Sequence, residues 1–261
     1  MSTLQRAVEL IAIQDLPEIS AGDDLATKIG DAIFAQGLAL QDGDLLTLAH
    51  KVVSKAEGQV VKLSSVTPGE EALRYGAELS KDPRKVQVVL NESTRVVRSF
   101  KHPHANEGTM ICEHRLGFIS ANAAVDESNT GEDGEVILLP TDPDASAKGI
   151  RQALQSRFGS QLGVVITDTF GRPWRLGQVN VAIGLSGVPA TVSEAGGSDA
   201  RGRELKVTEP AFADELAAAS GLVVGKAAQT PAVLFRGLDW QIDENARAGD
   251  LLRARTEDVF R

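Results

Sequence analysis

Three segments place chemically competent side chains where apolar runs end. The first reads Val164-Val165-Ile166-Thr167-Asp168-Thr169-Phe170-Gly171-Arg172-Pro173-Trp174-Arg175. A buried strand running into Asp168 would fix that carboxylate in space. Hard divalent cations take few carboxylates and complete their shells with phosphate oxygens. Arg172 and Arg175 could then clamp a phosphate or carboxylate bidentately. The plainer alternative is an Asp that caps the turn after the strand. The second segment, Ile119-Ser120-Ala121-Asn122-Ala123-Ala124-Val125-Asp126-Glu127-Ser128-Asn129, also runs from apolar residues into an Asp. Asp126 could share a cation with Asp168, and Asn129 could donate to a phosphate or base. An Asx turn leaving a strand competes with that reading. The third is His50-Lys51-Val52-Val53-Ser54-Lys55-Ala56-Glu57-Gly58. Strand alternation would set Lys51, Val53 and Lys55 on one face and His50, Val52 and Ser54 on the other. A lysine aimed into a site binds phosphate as a point charge, whereas two solvated lysines are the ordinary alternative.

Other candidates carry less. Gly225-Lys226 resembles a phosphate loop, but Ser220 stands where the first Gly is needed and Ala227 where the hydroxyl is needed, so a Walker-type site is rejected. No G-x-G-x-x-G follows a strand. His102-Pro103-His104 has no third ligand nearby in sequence and reads as an exposed loop. Arg201, Arg203 and Lys206 read as a solvated charge run. The single cysteine, Cys112, excludes an internal disulfide and a multi-cysteine zinc site, and reads as a small core residue.

The elements that would position these groups follow from periodicity. Short apolar runs predict strands over residues 8–13, 45–53, 94–100, 109–112, 118–122, 136–139, 163–167, 179–184, 188–192, 205–207, 222–224 and 232–235. A run over 60–63 is expected to pair with 45–53. Helical spacing covers residues 22–37, 68–80, 82–92 and 210–219, and another helix opens at Asp142-Pro143-Asp144. Residues 126–134 and 194–204 read as loops, the latter mobile. Strands outnumber helices without strict alternation, so the fold class is α+β, with mixed or antiparallel sheets and flanking helices. The 261 residues suit one large domain or two modest ones. Twenty-seven basic against 36 acidic residues give a net charge of −9, which disfavours a nucleic-acid footprint. No apolar run approaches the ~18 residues of a membrane span, and the start has no signal-peptide core. A cytoplasmic protein without membrane or nucleic-acid partners is expected.

In order along the chain, these segments resemble the coenzyme F420-0:L-glutamate ligases, or F420-0:γ-glutamyl ligases. The resemblance rests on Gly43-Asp44, Val53-Ser54-Lys55-Ala56-Glu57-Gly58, Asn122-Ala123-Ala124-Val125-Asp126-Glu127-Ser128-Asn129 and Leu138-Leu139-Pro140-Thr141-Asp142-Pro143-Asp144-Ala145-Ser146-Ala147. It continues through Ile166-Thr167-Asp168-Thr169-Phe170-Gly171-Arg172, Ala182-Ile183-Gly184-Leu185-Ser186-Gly187-Val188, Gly202-Arg203-Glu204-Leu205 and Val233-Leu234-Phe235-Arg236-Gly237-Leu238. It implies a GTP-dependent amide ligase that adds L-glutamate to coenzyme F420-0 through an acyl phosphate. It further implies two magnesium or manganese sites, a potassium ion, and an intertwined homodimer. By resemblance, Asp126 and Asp168 hold one metal and Thr169 a second, while Leu16-Pro17-Glu18-Ile19, His50, Lys55 and Asn129 contact GTP. Asp126, Asp168, Lys55 and Arg172 form the expected catalytic set. Arg172 and Arg175 are assigned on chemical grounds to the phosphodiester of F420-0 or to the incoming glutamate. Residues 1–261 are expected to form one catalytic unit, of one or two subdomains, without the C-terminal nitroreductase-like domain of some relatives. Two places depart from the family pattern: residues 225–230, near the nucleotide and second metal, and His50-Lys51, where small hydroxyl residues are expected. A non-catalytic deazaflavin- or nucleotide-binding protein, or a metal-dependent phosphatase, would keep the same fold.

Overall fold

The computed structural model describes residues 7–128, 130, 134–224 and 230–258. Its main sheet has five strands: β1 (Glu9–Ile13), β2 (Asp44–Ala49), β8 (Leu162–Arg172), β9 (Arg175–Ser186) and β10 (Ala232–Arg236), in the order β1-β10-β2-β8-β9. Only β2 and β8 run parallel; the other neighbours are antiparallel. The central strands are apolar at nearly every position because both their faces are covered; Leu45, Leu46, Leu48, Val164, Val165 and Ile166 are fully buried.

Helices α1 (Leu25–Ala35) and α5 (Pro143–Phe158) pack on each other, and α5 and α6 (Phe212–Ser220) pack on β9. Their starts follow from local chemistry. Asp24 accepts the Thr27 N–H ahead of α1, and Asp142 accepts the Ala145 N–H ahead of α5, where Pro143 occupies the first turn. Gly184 lets the start of α5 approach β9, since a Cβ there would lie 2.6 Å from the Pro143 backbone.

A second apolar cluster, which includes Leu63, Val86, Met110, Cys112 and Val136, lies under two smaller sheets. These are β3 (Val60–Lys62) with β7 (Glu135–Ile137), and β4 (Ser93–Phe100), β5 (Thr109–His114) and β6 (Ile119–Ala121) in that order. Helices α3 (Glu70–Leu79) and α4 (Pro83–Asn91) pack together, and α4 contacts β4. Cys112 is a buried core residue, as its sequence context suggests. The α+β class with mixed and antiparallel sheets holds.

Four expectations are corrected. The run over residues 45–53 is not one strand: β2 stops at Ala49, and α2 (His50–Ala56) begins at once. Polar residues at 50, 51, 54 and 55 follow a helical period that the buried strand before them conceals. Residues 60–62 pair with β7, not with β2. Strand β8 does not end before Asp168 but runs on to Arg172 and turns into β9 through Pro173-Trp174. No strand forms over 188–192, 205–207 or 222–224. Pro189 removes a ladder donor from the first, and Val207 and Leu222 in the others are 91% and 84% exposed, so those apolar residues have no sheet to enter.

The 194–204 loop is stitched by a Ser198–Glu204 bridge. The Asp199 carboxylate accepts the N–H groups of Arg201 and Arg203. Its Oδ2 also pairs with Arg203 Nε at 2.7 Å, so Arg203 is ion-paired rather than simply solvated.

Candidate active site

The change from strand to helix at Ala49 brings the third segment's chemistry together. In the parallel β2–β8 ladder Ala49 pairs with Thr167, so the next residues, His50 and Asp168, emerge side by side. His50 Nε2 lies 3.3 Å from Asp168 Oδ1, and His50 Nδ1 lies 3.2 Å from Ser54 Oγ one turn along α2. Lys51 and Lys55 are also one turn apart and so share a helix face. Lys51 Nζ is 2.7 Å from Asp126 Oδ2 and donates to both the carbonyl and the hydroxyl of Ser128. Lys55 Nζ is 2.5 Å from Glu18 Oε1, which ties the Leu16-Pro17-Glu18-Ile19 loop to α2.

Asp168 is aimed by an irregularity. Ile166 pairs with Gly184 but Thr167 pairs with Ala182, so Ile183 is an extra residue on β9. A bulge of this kind twists the ladder and redirects the side chains beside it. Past it, Thr169 Oγ1 donates to Asn180 Oδ1 across the hairpin at 2.8 Å, and Asn180 Nδ2 lies 3.4 Å from Ser220 Oγ on α6.

Asp126 is held differently. Its main chain bridges Ile137, and its Oδ1 accepts the Ser128 N–H at 2.7 Å. The Asx turn therefore forms, and the other oxygen is still presented to Lys51. Burial pushes the Asp126 carboxyl up, but the Lys51 and Ser128 donors outweigh it and hold the group below the usual aspartate range. Just upstream, Asn122, Ala123 and Ala124 all have φ between 50° and 58°. Three successive left-handed non-glycine residues are costly and mark a locally strained approach to Asp126.

The charged groups among these open onto one cleft of about 1250 Å³. Its walls include the Leu16–Ile19 loop residues, His50, Lys51, Lys55, Asp126, Asp168 and Thr169. Arg172 and Arg175 sit at the β8–β9 turn and do not line it; Arg172 Nη2 donates to the Leu176 carbonyl at 2.6 Å. Asn129 and residues 225–229 lie outside the described residues. Gln178 and Asn180 also line the cleft, at positions the sequence did not single out, and so do Ser128 and Thr230, from segments that it did. Asn180 and Gln178 become visible only once the hairpin register is known. Among the described residues no three His, Cys, Asp or Glu side chains form a closed metal cage. Asp126, Asp168 and Thr169 bring oxygen donors to the cleft, the donor type that hard cations take.

Residues 14–237 match the sequence model of the F420-0:Gamma-glutamyl ligase family. The chain belongs to that family. The span covers every cleft element from Leu16 to Pro231. Relatives of this ligase-family chain include the coenzyme F420:L-glutamate ligase of Methanothermobacter thermautotrophicus, 41% identical over 97% of this chain and 99% of the relative. Proteins of the same name from Methanopyrus kandleri and Methanocaldococcus jannaschii are 44% and 38% identical, over 94% and 98% of this chain and 94% and 98% of theirs.

Proposed function

We propose that this chain is a GTP-dependent ligase that joins L-glutamate to coenzyme F420-0 through a γ-glutamyl amide bond. The observation that carries the reading is the convergence of two carboxylates, Asp126 and Asp168, with two lysines of one helix, Lys51 and Lys55, in a single cleft. An anionic acceptor and a triphosphate approach each other only where charge of both kinds is arranged to offset their repulsion.

The α2 lysines, the Leu16–Ile19 loop, His50 and Asn129 would bind and orient the nucleotide. Asp126 and Asp168 would hold one magnesium or manganese ion and Thr169 a second, and such ions neutralise phosphate oxygens during transfer. A potassium ion is part of the same reading. A carboxylate oxygen of F420-0 takes the γ-phosphoryl group as the bond to the β-phosphate oxygen breaks and GDP leaves. The glutamate amine then attacks the acyl carbon, the carbon–oxygen bond breaks, phosphate leaves, and the nitrogen gives up its proton. Arg172 and Arg175, at the hairpin turn, are assigned to anionic groups of F420-0 or glutamate that extend beyond the cleft.

A homodimer belongs to the same proposal. It is supported by the hairpin turn, where the large apolar side chains of Trp174 and Leu176 are 78% and 97% exposed.

The test is Asp168→Asn. Glutamate-dependent GTP hydrolysis should disappear while circular dichroism shows the fold intact; normal turnover would overturn the assignment.

A further inference from the structure

His50 is 2% exposed, and its Nε2 has no hydrogen-bond partner. The 3.3 Å separation from Asp168 Oδ1 is close, but it lacks hydrogen-bond geometry. A buried ring nitrogen left without a partner is costly unless something else occupies it. On the other side of β2, the Ala49 N–H donates to the Pro231 carbonyl at 2.8 Å, which brings Thr230 to the same end of the sheet. Thr230 Oγ1 is likewise buried without a partner and lines the same cleft. Two orphaned polar atoms therefore flank the β2–α2 junction, next to a carboxylate.

We propose that His50 Nε2 is a nitrogen ligand to the divalent cation held by Asp168, and that it biases this site toward manganese over magnesium. The inference rests on the metal-holding role given to Asp168 above. Three features carry it. Two donors each ~2.1 Å from one ion lie ~3.0 Å apart at a right angle and ~3.4 Å apart at the tetrahedral angle, so a spacing of 3.3 Å suits neighbouring ligands of one ion. Ser54 Oγ faces Nδ1; in the tautomer that donates to it, the Nε2 lone pair is free to bind metal. Finally, imidazole favours transition metals, whereas magnesium prefers an all-oxygen shell. His50 and Asp168 already stand at ligand spacing, and Asp126, whose Oδ2 is paired with Lys51, is the third side chain assigned to the ion. Water and phosphate oxygens fill the remaining positions, so His50 meets the nucleotide through the ion.

Pulsed electron paramagnetic resonance of Mn2+ added to excess protein tests this. Bound Mn2+ should show nitrogen coupling from one imidazole, and its frequencies should change when histidine is ¹⁵N-labelled, a readout that needs no variant. His50→Gln should abolish the coupling and cut the preference for Mn2+ over Mg2+ about tenfold. Ser54→Ala should keep the coupling but weaken Mn2+ binding about tenfold. Mn2+ that binds and is released by Asp168→Asn, yet shows no nitrogen coupling, overturns the ligand role of His50 and leaves the Asp168 assignment standing. Coupling that survives in His50→Gln also overturns it. No saturable Mn2+ binding overturns both.

Discussion

At the scale of single residues, Lys51 joins the two halves of the cleft. Its ammonium answers the Asp126 carboxylate and closes the Ser128 turn, so it couples a binding helix to a candidate metal ligand. The pair is partly exposed, with side-chain exposures of 19% and 40%, so its worth to stability is within about 1 kcal/mol. Lys51→Met should therefore change the urea midpoint little, but should raise the KM for GTP about tenfold or more in initial-rate measurements. An unchanged KM would remove Lys51 from the site. The sign of the pH effect is fixed as well. Because the folded carboxyl lies below its ordinary value, Asp126 adds stability above the ordinary aspartate pKa of about 3.9. That contribution is lost as pH falls through the lower folded value. Glu92 acts in the same direction: the His114 and Arg115 donors hold its carboxyl down against its burial. Urea titrations between about pH 5 and 2 should thus show stability falling with acid, and Lys51→Met should reduce that slope without abolishing it.

At the scale of elements, positioning depends on departures from regular structure. The left-handed run at 122–124 delivers Asp126, and the bulge at Ile183 aims Asp168. At Ala124, with φ of 58°, glycine would relieve strain while adding unfolded-state freedom, and the two effects nearly cancel. Ala124→Gly should leave stability within about 1 kcal/mol, whereas Ala124→Val should cost more than about 2 kcal/mol. Equal midpoints for the two variants would contradict the strain. These same elements mark the limit of what the sequence made legible. The carboxylates, the lysines and the helix start at Asp142-Pro143 could be read from residue type and spacing. The α2 helix could not, because it continues an apolar strand without a turn residue between. Nor could the bulge, since an extra residue in β9 depends on pairing between strands. Apolar runs such as 222–224 read as strands because hydrophobicity alone does not say whether a sheet edge is available to receive them.

At the scale of the whole molecule, two apolar clusters are present: Ile19 and Val52 of the first line the cleft, and among the described residues the second reaches it only through Asp126, the residue after Val125. Asp126 follows directly on the cluster that holds Val125, while Asp168 and α2 stand on the main sheet. This explains why candidate site residues scatter from Leu16 to Thr230, and why a net charge of −9 is compatible with the anion site proposed above: the cleft's cations, Lys51 and Lys55, are local and helix-borne. The β8–β9 hairpin extends beyond the buried part of the sheet, and its exposed Leu176 sits beside the left-handed Trp174. In the homodimer proposed above this hairpin forms the interface, so Leu176→Asp should give a monomer in sedimentation analysis; a dimer that persists, or a parent protein that is already monomeric, would contradict that part of the proposal. The central claim is tested most directly by mass spectrometry of F420-0 incubated with the protein, GTP, L-glutamate and Mn2+. A ligase should raise the acceptor's mass by one or more glutamyl units, dependent on both GTP and glutamate. An acceptor that binds but keeps its mass, or phosphate release without any conjugate, would contradict it.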